Sequence, residues 1–124
     1  MLHLILALLS VSSFANEVPS NSMEYRCGTS SSEKFALTAV VFEAFDASWK
    51  PLYSSAEIRD SAGRIDFNGF VSASRVDENG LTTVTWSASD FALVAKFILS
   101  NPSRNAGAEL RLVSGETVKL NCTF

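Results

Sequence analysis

Histidine occurs once in the 124 residues, at position 3, and cysteine only twice, at positions 27 and 122. Basic residues are outnumbered, 10 Lys and Arg against 13 Asp and Glu, for a formal net charge of −3. No apolar run approaches the roughly 20 residues that a helix needs to cross a bilayer, so no membrane span is expected. Each scarcity excludes something. A mildly acidic balance argues against nucleic acid or an anionic membrane surface as partner, since both call for a basic patch. The most apolar stretch, residues 2–14, is short and ends in Ser13-Phe14-Ala15, with small residues at the two positions a signal peptidase reads. Residues 1–15 therefore read as a signal peptide, although positive charge at its start is limited to the α-amino group and His3. Cleavage after Ala15 would take His3 with it and leave no imidazole. With the two cysteines bridged, no free thiol would remain either. That excludes Ser–His and Cys–His nucleophilic catalysis and histidine-based zinc sites. The expectation is a chain that is not an enzyme, with no metal and no cofactor.

The polar segment 16–22 follows the apolar run, which a buried N-terminal strand or helix would not show. No cysteine stands where a lipid anchor would require one. The predicted localisation is secreted or periplasmic, in a compartment that oxidises thiols, so Cys27 and Cys122 are expected to form one disulfide. Residues 23–124 read as a single β domain, long enough for one modest core.

Strand signals dominate that domain. Tyr25 and Cys27 share a period of two, and residues 34–45 are apolar on both faces, as in a central or doubly packed strand. Asp60-Ser-Ala-Gly63 and Asp77-Glu-Asn-Gly80 each start with Asp and end with Gly, the chemistry of a hairpin connection in which glycine takes positive φ. Matching apolar positions predicts Ile58 opposite Ile65 and Ala56 opposite Phe67 in the first hairpin. In the second it predicts Ala73 opposite Val84 and Val71 opposite Trp86, and in a last hairpin, with a loop of residues 114–116, Leu110 opposite Leu120 and Ala108 opposite Cys122. Residues 89–99 fit either a strand, with Phe91, Leu93, Ala95, Phe97 and Leu99 alternating, or a helix capped at Ser89 or Asp90. The strand is preferred because its neighbours are strands joined by short loops. Residues 101–107 read as an exposed loop, and residues 29–32 as a turn. The predicted architecture is all-β: a small antiparallel β-barrel or sandwich of seven to eight strands.

Chemical motifs are sparse. Ser31-Ser-Glu-Lys34 satisfies Ser-x-x-Lys, but a serine cluster meets that pattern cheaply and an ordinary polar turn explains it. Asp60 with Asp66, or Asp77 with Glu78, could pair for acid–base work, yet turn or outward-facing positions make solvated surface the simpler reading. Asp77-Glu-Asn-Gly80 lacks the alternating oxygens and distal Glu of a calcium loop. Asn121-Cys-Thr123 is a formal glycosylation sequon, on a segment that Cys122 ties into a strand. Trp49, in a polar connection, is either a core plug or an anchor for a partner. Trp86 falls on a predicted inward face and reads as core.

Tyr25-Arg-Cys27-Gly opening the domain, a cysteine in the final strand, and the central Ser72-Ala-Ser-Arg-Val76…Asn79-Gly-Leu-Thr-Thr-Val-Thr-Trp86 together resemble the periplasmic and membrane-bound inhibitors of C-type lysozyme. The resemblance covers about half of the mature chain, with Ala73 and Val76 where the family motif has Gly and Tyr. It implies a small β-barrel of the bacterial envelope. It further implies that Ser72 or Ser74, with Arg75 beside them, would enter an enzyme cleft as a polar loop, and that Lys96 stands in for the lysine that family presents. The expected function is an exported, non-catalytic protein-binding or structural module; the alternative is an inhibitor of C-type lysozyme, with a lysozyme-like enzyme as partner.

Overall fold

A computed structural model describes residues 18–30 and 36–123, with the backbone alone at 102 and 103. The expected signal peptide, the start of the polar segment and the Ser31–Lys34 motif lie outside the described residues. Eight strands follow one another: β1 Asn21–Thr29, β2 Leu37–Phe45, β3 Pro51–Asp60, β4 Ile65–Glu78, β5 Leu81–Ser87, β6 Phe91–Ile98, β7 Asn101–Leu112 and β8 Thr117–Thr123. Each pairs antiparallel with the next, and β8 returns to β1, closing a barrel. The barrel, rather than a sandwich, is the outcome, and residues 91–98 are strand, not helix.

Closure follows from the alternation of side chains. Every second residue faces one interior, filled by Tyr25, Val41, Val84, Trp86, Leu93 and Leu110, all but inaccessible to solvent. Tyr25 lies between Trp86 and Phe97, with ring centroids 4.9 and 5.4 Å away. Cys27 is paired directly with Cys122 across the β1–β8 seam and bonded to it, the Cα atoms 4.0 Å apart.

The three predicted hairpin registers each need correction by two residues. Ala73 faces Trp86, not Val84; Ile58 faces Phe67, not Ile65, after a bulge beside Arg59; and Leu110 faces Val118, not Leu120. The physical reason is shared. Alternation decides which face a residue takes, and a shift of two leaves every face unchanged, so only the turn can choose among the remaining registers. In β4–β5 the turn is the two-residue Asn79-Gly80, with φ of 53° and 76°, as a type I′ turn requires.

The loop expected at 101–107 is also corrected. It belongs to β7, where irregularities opposite Lys96, Phe97 and Ile98 let Asn105 pair with Phe97 while Asn101 pairs with Ile98. The Asn105 side-chain amide donates to the Cys122 carbonyl and fixes this bulge to β8.

β4 has an unusual place. Residues up to Val71 pair with β3, and residues from Ser72 onward pair with β5. Its second half therefore has one free side, and it carries Arg75, Asp77 and Glu78, charges that discourage edge pairing.

Candidate functional site

Strands that alternate up and down bring every second connection to the same end. The β3–β4, β5–β6 and β7–β8 turns, with the start of β2, surround a cleft of about 600 Å³. Its floor is apolar: Leu37, Ile58, Phe67, Phe91, Leu110 and Val118. Phe67 and Phe91 meet edge to face with centroids 4.9 Å apart. Its rim carries Asp60, Asp66, Asp90 and Glu116, with Arg64 the one cation among the described lining residues.

The rim is locally built. Asp60 Oδ1 accepts from the backbone N–H groups of Ala62 and Arg64 at 2.9 and 3.0 Å, and its Oδ2 from Arg64 Nε at 2.8 Å. Partial burial pulls the Asp60 carboxyl upward, but those donations and the guanidinium charge outweigh it and hold the group below its ordinary value. The Val113 N–H donates to the Asp90 carbonyl at 3.1 Å, tying the β7–β8 turn to the β5–β6 turn.

The opposite end is blocked by polar side chains. Glu43, only 3% exposed, faces inward, and Arg75 Nη2 lies 3.6 Å from its Oε1. Arg75 Nη2 also donates to the Tyr25 hydroxyl at 3.4 Å. Glu43 Oε1, Thr82 Oγ1 and Trp86 Nε1 are buried without a hydrogen-bond partner among the described residues. A shallower hollow of about 290 Å³ lies there, lined by Tyr25, Arg75, Asp77 and Thr82 among others.

The residues singled out from the sequence are not gathered at the cleft. Ser72 and Ser74 are exposed on the outer face of β4, inside a strand rather than on a loop. Arg75, one residue on, turns to the interior, so alternation separates it from the two serines. Lys96 is exposed on the outer face of β6, in the row Val76–Thr83–Lys96 across three strands. Trp49 is 56% exposed at the blocked end, against Phe45 at 5.4 Å, so it is not a core plug. Trp86 is core, as expected. Asp60 and Asp66, considered as a pair, do share the cleft rim, whereas Asp77 and Glu78 lie at the other end.

Asp90, Glu116, Phe67 and Phe91 were not singled out as site residues. The signal available was positional: in an up-and-down barrel the alternate connections converge, and each of the β3–β4, β5–β6 and β7–β8 connections has an acid in it or at the strand ends beside it. Family models, curated proteins and solved structures gave no match to the chain.

Proposed function

We propose that the chain is an exported, non-catalytic binding module of a bacterial envelope that holds its ligand in the cleft at the open end of the barrel. The observation that carries the reading is the cleft itself. Its volume of about 600 Å³ lies within the range of small-molecule sites, and barrel mouths are a usual place for them. An apolar floor with a polar rim supplies affinity from burial and orientation from charge. The disulfide supports export, and Trp49, an exposed aromatic, supports a second contact at the other end.

The test is a titration of the full mature domain with a neutral apolar fluorophore, 1-N-phenylnaphthylamine. Saturable enhancement at one site is expected, weakened several-fold in Leu112→Gln, whose side chain lines the cleft beside the β7–β8 turn. Enhancement that rises linearly without saturation would overturn the reading.

Inhibition of C-type lysozyme is the second reading, favoured by one observation: Ser72, Ser74 and Lys96 share an outer face. A strand face, not an inserted loop, would then meet the enzyme. An acidic domain is steered towards a basic enzyme, a rate effect that salt screens. A lysozyme turnover assay with no inhibition at about tens of micromolar would end that reading.

A further inference from the structure

We infer that the ligand of the cleft is a cationic amphiphile: an alkyl or aryl body on the apolar floor with an ammonium group at the carboxylate rim. The inference rests on the binding reading above and deepens it. Four carboxylates line the cleft, and its one cation among the described residues, Arg64, is held by Asp60 at 2.8 Å. Asp66, Asp90 and Glu116 have no ion-pair partner among the described residues, and all three are exposed.

Asp66 stands at the start of β4, and Asp90 and Glu116 on the β5–β6 and β7–β8 connections, over a low-dielectric floor that concentrates their negative potential in the opening. A bound cation would relieve their mutual repulsion, a bound anion would add to it, and a neutral ligand would do neither. The edge-to-face pair Phe67–Phe91 adds ring surface to which an organic cation is attracted by the aromatic quadrupole.

The chemistry favours a diffuse organic cation over a metal ion. No three acidic, histidine or cysteine side chains among the described residues converge closely enough to chelate one. A divalent ion needs six or more oxygens at short range, whereas an alkylammonium group needs only nearby negative charge and apolar surface for its body. Charge complementarity and the shape of the floor thus point to the same occupant.

The experiment displaces bound 1-N-phenylnaphthylamine with three ten-carbon probes: decyltrimethylammonium, 1-decanol and decyl sulfate, all below their aggregation limits. Decyltrimethylammonium is expected to displace at about tenfold lower concentration than decanol, with decyl sulfate weakest, and added salt should narrow the spread. In the double variant Asp90→Asn with Glu116→Gln, the cation should lose most of its advantage while decanol displaces as before. An unchanged urea midpoint would show that the variant remains folded. Equal displacement by all three probes, or a cation preference untouched by the double variant, would overturn the cationic assignment and leave the binding reading standing. Failure of the fluorophore to bind at all would overturn both.

Discussion

Arg75 shows how much one residue's direction decides. Within the run Ser72 to Val76 it alone among the polar side chains turns inward, where it meets Glu43 and the Tyr25 hydroxyl. Burial, then the negative charge of Glu43, push the Tyr25 hydroxyl well above its ordinary value, with Arg75 opposing. The unfolded chain gives up a tyrosine proton near pH 10 while the folded one keeps it, so above that pH the unfolded state binds fewer protons. This contribution to stability is complete below about pH 10 and declines as pH rises further. Urea midpoints measured from pH 8 to 11 are expected to fall above about pH 10, and Tyr25→Phe should flatten that decline. An unchanged slope in the variant would assign it to other groups.

At the scale of elements, one turn design recurs. Asp46 accepts from the N–H groups of Ser48 and Lys50, and Asp60 from those of Ala62 and Arg64, at the same spacing. In both, the fourth residue has positive φ: Trp49 at 64° and Gly63 at 78°. The β7–β8 turn shares the backbone pattern, with Gly115 at 90°. Trp49 thus occupies a glycine position, and a bulky side chain there costs about 1–2 kcal/mol, offset in part by its contact with Phe45. This is why the sequence signalled the turns ending in Gly63 and Gly80 but not the one at 46–50. Gly80 has open space around a would-be Cβ, so a substitution there tests backbone conformation alone. Gly80→Val is expected to destabilise by more than about 1 kcal/mol, read from the midpoint of urea unfolding. A shift within error would mean that the β4–β5 turn tolerates another geometry.

For the whole molecule the critical join is between β1 and β8. It brings together the most distant strands in the chain through four residue pairs, and Cys27–Cys122 is one of them. The bond closes a span with a sequence separation of 95, for which chain entropy gives about 4–5 kcal/mol, an upper figure because native strain subtracts from it. In a domain this small that is a large share of the total. The double variant Cys27→Ala with Cys122→Ala should lose a large part of this stability by urea unfolding, while its far-ultraviolet circular dichroism stays that of a β protein. A loss below about 1 kcal/mol would place the seam's strength in strand pairing instead.

Alternation, turn chemistry and cysteine count were local signals, and they determined the all-β class, the disulfide and the inward place of Trp86; at 91–98 they fitted strand and helix alike, and the neighbouring strands favoured the strand that is found. They could not determine register, because faces repeat every two residues and each hairpin had more than one alignment with the same apolar face. Alternation alone sets Arg75 on the opposite face of its strand from Ser72 and Ser74, but it could not show that Arg75 meets a buried partner on β2, since that depends on strands distant in sequence. The cleft belongs to the same class. Asp60 and Asp66 are legible in the sequence as a pair, but Asp90 and Glu116 lie far from them along the chain, and only closure of the barrel, which brings alternate turns to one end, sets all four around one apolar floor.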